Sequence, residues 1–246
     1  MIKVLAIIGI NIVKVVILCG GVGSRLAEDT KLIPKPMVKI GNLPILSHII
    51  KIYKHYGFNE FILATGYKSS IIEDYFESKK NIKCVYTGKN TLTGGRLLRL
   101  KKFFKVGENF MLTYGDGLTN QNLRKLVQFH LKHKKIATMT TVKPPARFGE
   151  VFINGSYVSK FEEKPQLHDN WINGGFFVLN YKIFSFISGD QIMLERQPLS
   201  KLTKLKQLKA FKHYGFWQCM DTMRDKNTLR KMWFTKTSPW TRLKNN

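Results

Sequence analysis

A short apolar run that ends in a cluster of glycines restricts the fold of this sequence more than any other feature. The run Val15 to Leu18 is rich in β-branched residues and leads into Gly20, Gly21 and Gly23. Such a continuous run is typical of a central strand in a parallel sheet, because these strands are buried on both faces. Glycines at the end of the strand let the backbone present N–H groups to phosphate oxygens. The sequence therefore predicts an α/β fold with a phosphate-binding loop.

The spacing of these glycines excludes two familiar phosphate-binding loops. The segment Gly20 to Arg25 has neither the GxxxxGK[ST] pattern of P-loop proteins nor the GxGxxG pattern of dinucleotide-binding folds. Arg25 follows the last glycine closely and favours an anionic ligand. A tight glycine turn that binds no ligand is the alternative.

Strand and helix patterns alternate along the first half of the chain. Apolar, β-rich runs predict strands at 15–18, 61–64, 82–86 and 110–114. Helical spacing predicts helices at 45–53 and 71–76, and a third that reaches Phe103, for which Thr93 is a candidate N-cap. Strand, helix and strand in turn indicate a doubly wound α/β sheet.

The second half of the chain is richer in strands and less regular. Runs at 137–142, 150–153, 158–161, 174–179 and 208–213 predict further strands and hence a mixed architecture. No low-complexity linker or internal repeat divides the chain. We therefore expect residues 13–246 to form one domain with a substrate-facing, strand-rich half. Residues 1–12 form an N-terminal extension for which the sequence indicates no role.

Residues 1–20 are mostly apolar and could be mistaken for a membrane segment. Lys3, Asn11 and Lys14 interrupt the run, and no small-residue cleavage pattern follows it, so we expect no membrane insertion. The three cysteines are odd in number and show no CxxC spacing. Neither a zinc site nor a disulfide framework is predicted, and a cytoplasmic location fits best.

The net charge raises the question of nucleic acid as a partner. The chain has 41 Lys and Arg against 16 Asp and Glu, a formal net charge of +25. The basic residues are scattered along the whole chain, and neither a zinc-finger nor an RNP1-like motif accompanies them. We therefore expect no specific nucleic-acid binding and interpret the charge as a solvated surface that also favours anionic substrates.

Three side chains are candidates for charge chemistry near the glycine loop. Lys35 lies between two prolines, which would hold a cation on a stiff backbone, although a solvated loop lysine is the alternative. Asp116 follows a predicted strand, at the edge where open α/β sheets bind ligands, and Asp221 follows another apparent strand end. Carboxylates at such positions commonly hold Mg²⁺ together with phosphate oxygens. A helix-capping role is the alternative for Asp221.

Two later segments carry groups that suit a sugar phosphate. Glu163 and Lys164 precede Pro165, and Asn173 precedes two glycines and two phenylalanines. Carboxylates and amides bind sugar hydroxyls, and lysines bind phosphates. Both segments are also compatible with plain turns. Nearby aromatic residues, including Trp171 and Trp217, are interpreted as core or as walls for a sugar.

Taken in order, these motifs resemble the sugar-phosphate nucleotidyltransferases. The resemblance is carried by residues 18–26, 34–37, 93–96, 114–117, 163–165 and 220–222, and it runs from about residue 13 to the end. Thr93-Gly94-Gly95-Arg96 and the segment Phe216 to Thr222 are most similar to the branch that transfers a cytidylyl group to glucose 1-phosphate. The resemblance implies a Rossmann-like sheet and Mg²⁺-dependent formation of CDP-glucose and pyrophosphate from CTP and glucose 1-phosphate.

The resemblance also implies the residue roles. Catalytic charge would come from Arg25, Lys35 and Lys164. CTP would be held by Leu18, Cys19, Gly20, Gly21, Val22, Gly23, Ser24, Arg25, Lys35, Thr91, Arg96 and Gly115. Glu163, Lys164 and Asn173 would hold the sugar phosphate, and Asp116 and Asp221 would hold Mg²⁺. No general base is needed, because a phosphate monoester is already an anionic nucleophile.

The sequence departs from this family pattern in four places. Ile33 stands where the family usually has Lys, Tyr86 where it usually has Asp, and Gln197 where it usually has Glu. The stretch from Phe76 to Lys83 is also shorter than its family counterpart, which takes part in assembly, so a homo-oligomer is left open. Uridylyl or thymidylyl transfer, and a non-catalytic nucleotide-binding role, are therefore alternative functions.

Overall fold

The computed structural model describes residues 13–23, 26, 30–144, 150–162 and 170–244. These residues form strands β1 (Val15–Leu18), β2 (Lys39–Ile40), β3 (Leu43–Pro44), β4 (Phe61–Thr65), β5 (Ile82–Tyr86), β6 (Asn109–Tyr114), β7 (Gly117–Thr119), β8 (Ala137–Val142), β9 (Glu150–Asn154), β10 (Tyr157–Glu162), β11 (Ile172–Asn180), β12 (Leu208–His213) and β13 (Trp217–Cys219). The α-helices are α1 (Ile45–His55), α2 (Ser69–Phe76), α3 (Thr93–Arg99), α4 (Leu123–His133), α5 (Gln197–Lys204) and α6 (Met223–Phe234).

Seven of the strands form one mixed sheet in the order β12, β8, β11, β6, β1, β4, β5. Strands β6, β1, β4 and β5 are mutually parallel, and β12 is parallel to β8. Strand β11 is antiparallel to both of its neighbours, β6 and β8. The carboxyl ends of the parallel strands and the beginning of β11 therefore meet at one edge of the sheet.

Helices cover both faces of the sheet, as a doubly wound fold requires. Along β1, Val15 and Ile17 belong to a buried cluster that includes residues of α1, α2, α4 and α6. Val16 and Leu18 belong to a second cluster, which includes residues of α3 and α5. Successive residues of a strand point to opposite faces of the sheet. Because helices cover both faces, all four side chains are buried. The continuous apolar run in the sequence thus reflects a two-sided core, and the predicted fold class is confirmed.

Several local expectations are corrected by the structure. Thr93 does not cap α3 with its side chain: Leu92 is the N-cap and makes no side-chain cap hydrogen bond. This helix ends at Arg99, and a separate 3-10 turn covers Lys101–Phe103. The short strands β2, β3, β7 and β13 were absent from the sequence prediction, since each has only two or three residues.

The predicted extension, residues 1–12, lies outside the described residues. Among the helices of the described residues, none has the length and apolar character needed to cross a membrane.

Candidate active site

A cavity of about 740 Å³ lies at the edge of the sheet where β1 and β6 end and β11 begins. Twelve of the predicted site residues line it: Leu18, Cys19, Gly20, Gly21, Gly23, Lys35, Thr91, Arg96, Gly115, Asp116, Asn173 and Asp221. Val22 does not line it and is 50% exposed. Ser24, Arg25, Glu163 and Lys164 lie outside the described residues. Residues from widely separated segments thus meet at one cavity.

The glycine loop leaves β1 and is anchored by a buried arginine. Arg96 donates hydrogen bonds to the carbonyl oxygens of Gly20 (2.8 Å), Gly88 (2.6 Å), Thr65 (3.2 Å) and Lys89 (3.2 Å) and to the Thr87 hydroxyl (2.9 Å). Its side chain fills the space where Gly20 and Gly66 have no Cβ, so a larger residue at either position would overlap the guanidinium. Arg96 therefore fixes the start of the loop against the ends of β4 and β5.

Burial of Arg96, which is 4% exposed, lowers the pKa of its guanidinium. An arginine remains protonated even so. Its charge is held by oxygen atoms of the chain, because five donors in a fixed fork can meet several carbonyl groups at once.

Further along the loop, Gly23 packs against the stem of Lys35. Gly23 has a φ of 71°, and a Cβ there would lie 2.9 Å from the Lys35 Cβ. Lys35 begins a 3-10 turn, Lys35–Met37, in which the Met37 N–H donates to the Pro34 carbonyl (2.8 Å). Proline on each side restricts this backbone. Lys35 is therefore held rigidly, and the alternative of a solvated loop lysine is wrong, because its side chain is only 12% exposed.

The ammonium group of Lys35 lies between the two predicted metal ligands. Its Nζ is 2.5 Å from Asp116 Oδ2 and 2.5 Å from Asp221 Oδ1. Burial acts to lower the pKa of Lys35, but the charge of Asp116 and the hydrogen bonds to both carboxylates outweigh it and raise the pKa. Lys35 is therefore a permanent cation at neutral pH. Two carboxylates from distant parts of the chain converge on one point beside the glycine loop.

Local pairing explains how the two carboxylates meet. Asp116 follows β6 by two residues, and its carbonyl accepts from the Met220 N–H (2.9 Å). Strands β7 and β13, directly after Asp116 and before Asp221, pair antiparallel. The alternative that Asp221 caps a helix is wrong: Thr222 is the N-cap of α6 and forms a capping box with Asp225. Because Thr222 and Asp225 together cap α6, the Asp221 side chain is not used for capping, and its Oδ1 accepts from Lys35.

The two carboxylates at this point suit a magnesium site that substrate phosphates complete, and not a metal enclosed by protein side chains alone. Among the described residues there is no group of three or more His, Cys, Asp and Glu residues that could enclose a metal. Asp116 and Asp221 supply two carboxylates with oxygens turned towards one cation. Mg²⁺ is typically held by one or two carboxylates together with substrate phosphates. Zinc, which prefers nitrogen and sulfur ligands, does not match these residues.

Cys19 contributes to the site only through its backbone. Its side chain is 1% exposed, and its N–H donates to the Ala64 carbonyl (2.9 Å). Burial, with the charges of Cys84 and Asp116, raises the pKa of the thiol well above its usual range. A neutral thiol is a poor nucleophile, so Cys19 is part of the fold beneath the loop.

One wall of the cavity is a hydrogen-bonded network of Tyr114, Asn173 and Glu195, of which the sequence predicted only Asn173 as a site residue. Asn173 was predicted here, and its Oδ1 accepts from the Gly175 N–H (2.8 Å) while its Nδ2 donates to the Tyr114 hydroxyl (3.4 Å). Tyr114 also reaches Glu195, which was not predicted. Glu195 lies outside every recognised motif, so only its rarity as an acidic residue in this basic chain could have drawn attention to it.

Aromatic and apolar groups complete this wall. The Trp217 indole lines the cavity and donates to the Gly174 carbonyl (2.7 Å), which fixes its ring. Ile172 and Met193 line the cavity as well. The interpretation of Trp217 as a wall of the site agrees with this position.

Comparisons with known proteins agree with this geometry. The family model described as nucleotidyl transferase matches residues 14–221. A glucose-1-phosphate cytidylyltransferase of Salmonella typhimurium is 41% identical, over 92% of this chain and 98% of that protein. A probable glucose-1-phosphate cytidylyltransferase of Bacillus subtilis shows the same identity and coverage.

Among solved structures, a putative glucose-1-phosphate thymidylyltransferase from Bacillus anthracis superposes with a TM-score of 0.71. It is 21% identical, and the match covers 89% of this chain and 94% of that chain. At this identity the likeness shows the fold.

Proposed function

The chain belongs to the nucleotidyl transferase family, and we propose that it transfers CMP from CTP to α-D-glucose 1-phosphate, forming CDP-glucose and pyrophosphate. The observation that carries this proposal is the Lys35 ammonium between Asp116 and Asp221, beside the glycine loop. The choice of cytidylyl transfer is supported by the two relatives of that name, which are 41% identical over nearly their whole length.

The reaction exchanges one phosphoanhydride linkage for another. An oxygen of the sugar phosphate attacks the α-phosphorus of CTP, a new P–O bond forms, and the bond to the β-phosphate oxygen breaks as pyrophosphate leaves. The nucleophile is already anionic, so the protein needs no general base. The barrier is largely the repulsion between two anions and the cost of aligning them.

The chain's own residues address both parts of that barrier. The cavity is bordered at the end of β1 by Leu18, Cys19, Gly20, Gly21 and Gly23, where glycines allow close approach of a triphosphate. Lys35 supplies a cation that is already held in place, so little reorganisation is needed when charge develops. We assign Thr91 and Gly115, which line the same cavity, to CTP binding, and Arg96 to holding Gly20 in position for it.

Nucleotidyltransferases of this family generally use a divalent metal ion. We propose that the ion here is Mg²⁺ and that Asp116 and Asp221 hold it, since they offer two convergent carboxylates of the kind that Mg²⁺ prefers. When bound, Mg²⁺ would supply positive charge to the phosphate oxygens and the leaving pyrophosphate. Lys35 would be a second cation for these phosphate oxygens.

The sugar phosphate is assigned to the wall that carries Asn173. The proposal also assigns Glu163 and Lys164 to the sugar phosphate, and Arg25 and Ser24 to the triphosphate; these four residues lie outside the described part of the chain. Val22, which is exposed and away from the cavity, contributes only as part of the loop.

The departures from the family pattern do not favour a non-catalytic protein. Ile33 packs against the core, Tyr86 is 58% exposed, and Gln197 is the first residue of α5. None of the three lines the cavity, whereas Lys35, Asp116 and Asp221 all do. Three of the charged groups that the proposal assigns to the reaction are thus present at the cavity.

The decisive experiment is a pyrophosphate-release assay with the purified full-length chain, Mg²⁺ and glucose 1-phosphate. CTP, UTP, dTTP and GTP are supplied one at a time, and the sugar nucleotide formed is identified by mass spectrometry. We expect turnover with CTP and at least tenfold less with the other three nucleotides. Mannose 1-phosphate and inorganic phosphate serve as control acceptors.

Two results would contradict the proposal. Equal turnover with UTP or dTTP would replace cytidylyl transfer by a broader or different nucleotide preference. Saturable CTP binding without any pyrophosphate would indicate a non-catalytic nucleotide-binding protein. The predictions of a cytoplasmic location, of no specific nucleic-acid binding and of a homo-oligomer stay predictions.

A further inference from the structure

A third carboxylate, beside those of Asp116 and Asp221, lines the cavity, and it is held by hydroxyl groups. Glu195 Oε1 accepts a hydrogen bond from the Tyr114 hydroxyl (2.5 Å), and Glu195 Oε2 accepts one from the Thr93 hydroxyl (2.6 Å). Both short bonds have the length expected when a hydroxyl donates to an ionised acceptor. Neither Arg nor Lys among the described residues forms an ion pair with Glu195. In a chain with 41 basic and 16 acidic residues, a cavity carboxylate held by two hydroxyls is unusual.

The network joins four segments of the chain at this wall. Tyr114 ends β6, immediately before Gly115 and Asp116, and Thr93 begins α3. The Thr93 hydroxyl also accepts from the Leu194 N–H (2.9 Å), which fixes the segment that carries Glu195. Asn173 at the start of β11 donates to Tyr114. The Glu195 carboxylate is therefore oriented from two sides before any substrate enters.

The chemistry of this carboxylate excludes phosphate as its ligand and favours a hydroxyl. An ionised carboxylate only accepts hydrogen bonds, and its two oxygens have about four acceptor positions, of which Tyr114 and Thr93 use two. The Tyr114 hydroxyl is a donor to Glu195 Oε1 and accepts from Asn173 Nδ2. Glu195 lines the cavity that, on the proposed function, also holds a sugar with several hydroxyl donors.

The neighbouring side chains suit the same ligand. Trp217, Ile172 and Met193 line the cavity with Glu195 and offer an apolar surface for the C–H face of a pyranose. Phosphate groups have their cation elsewhere, at Lys35. Glu195 is therefore assigned to the hydroxyl-bearing part of the substrate.

We propose that Glu195 is a specificity-determining residue that accepts a hydrogen bond from a ring hydroxyl of the sugar phosphate, with Tyr114 and Thr93 as positioning residues. The inference rests on the proposed function, because it names how the acceptor sugar is recognised. It requires no change in the reaction at phosphorus. It predicts that Glu195 contributes to the choice of sugar and not to the choice of nucleotide.

The test is a cycle of comparisons in which the native chain and Glu195→Gln are each assayed with glucose 1-phosphate and with its deoxy analogues. The variant keeps the size of the side chain and removes the charge and one acceptor oxygen. We expect KM for glucose 1-phosphate to rise at least tenfold, with KM for CTP unchanged within twofold. One deoxy analogue should be at least tenfold poorer than glucose 1-phosphate with the native chain and equally good with Glu195→Gln. That analogue identifies the hydroxyl.

Two further variants provide the control and the positioning test. Asp190→Asn removes a carboxylate of the same segment that is exposed and outside the cavity, and it should leave both KM values unchanged. Tyr114→Phe removes one of the two orienting donors, and we expect a smaller rise in KM for glucose 1-phosphate with kcat retained. A merely structural role would change thermal stability without this split between KM and kcat.

The outcomes separate this inference from the proposed function. A selective rise in KM for CTP, or an equal loss with every deoxy analogue in both proteins, would overturn it. If the native chain shows no turnover, calorimetric binding of glucose 1-phosphate and its deoxy analogues, with CTP present, replaces the kinetic cycle. If Glu195→Gln does not fold, the same cycle is run with Tyr114→Phe, and unaltered discrimination there overturns the proposal.

Discussion

Lys35, which is partly buried, and Arg96, which is buried, are two cations that contact the glycine loop at Gly23 and Gly20, and their partners differ in kind. Lys35 contacts the side-chain carboxylates of Asp116 and Asp221. Arg96 contacts four backbone carbonyl groups and one hydroxyl, and no carboxylate among the described residues pairs with it. The pKa is raised at Lys35, where two anions outweigh burial, and lowered at Arg96, where burial dominates.

This difference separates a group that can take part in chemistry from a group that holds the site in shape. The partners of Lys35 are side chains, which can exchange the ammonium for other cations when a triphosphate enters. The partners of Arg96 are carbonyl groups fixed by the ends of β4, β5 and the glycine loop, so any movement of the guanidinium would leave buried acceptors unpaired. The resemblance assigns both residues to CTP, but the geometry gives them different tasks.

The largest expected effect comes from breaking the Lys35 cluster. Asp116→Asn keeps the shape of the side chain and removes the charge that Lys35 and Mg²⁺ would share. We expect kcat to fall by about 10²–10³, the cost of losing one preorganised electrostatic group. The measurement is steady-state pyrophosphate release over a range of Mg²⁺ concentrations.

The matched control for this prediction is Asp74→Asn, which removes an exposed carboxylate on α2. It should leave kcat and the Mg²⁺ dependence unchanged. Unaltered turnover in Asp116→Asn would show that the cluster is an architectural ion pair, and the contrast with Arg96 would disappear.

The next effect comes from breaking the Arg96 anchor. Arg96→Lys keeps the charge but loses the planar fork, so several of the carbonyl groups would lose their donor. We expect the free energy of unfolding to fall by about 2–3 kcal/mol. KM for CTP should rise as Gly20 loosens, while kcat at saturating CTP changes little. Urea unfolding and steady-state kinetics measure the two quantities.

Arg99→Lys is the matched control on the same helix. Arg99 is exposed, and within the described part of the chain its side-chain hydrogen bonds go to Asp190. An exposed ion pair contributes little to stability, so the unfolding midpoint should not move. Equal destabilisation by the two substitutions would indicate a general effect on α3 and would remove the special role of Arg96.

The smallest effect extends the comparison to a buried base that has no anionic partner within the described part of the chain. His130 is hydrogen-bonded to Thr138 (2.9 Å) and Asn109 (3.3 Å), and burial with the nearby His133 lowers its pKa to about 4. Because the pKa in the unfolded chain is about 6.5, the unfolded state binds the proton first as pH falls. Stability is therefore full above pH 6.5 and decreases towards pH 4.

We expect a loss on the order of 2 kcal/mol between pH 7 and pH 4 from this histidine. The measurement is urea unfolding at a series of pH values for the native chain and for His130→Gln, which retains hydrogen-bonding capacity. The variant should show a shallower dependence on pH across this window. An identical dependence in both proteins would assign the acid sensitivity to other groups.

Much of the fold followed from local patterns. The continuous apolar run of β1 predicted a strand buried on both faces, and Val15 to Leu18 are all buried. Helical spacing predicted α1, which begins at Ile45 as expected. The position of Asp116 after a strand predicted its place at the ligand-binding edge. Such patterns can be interpreted from sequence because they repeat over a few residues in a single element.

The two helix-capping interpretations failed because another side chain bound the candidate residue or took the capping role. Thr93 has a residue type that commonly caps helices, but its hydroxyl bonds Glu195, which lies 102 positions away. Asp221 was an equally reasonable cap, but Thr222 and Asp225 cap α6 between them. A local propensity is a weak preference, and a charged partner brought close by tertiary folding outweighs it.

By itself the sequence determined the alternation of strands and helices, the glycine loop after β1 and most of the residues from which the candidate site is built. Only the tertiary structure decided that β11 enters between β6 and β8, that Lys35 bridges two carboxylates, that Arg96 is committed to backbone carbonyls and that Glu195 joins Tyr114 in the cavity. The physical reason is range: periodicity and turn chemistry act between neighbours, whereas burial and the pairing of charges depend on which distant segments the sheet brings together.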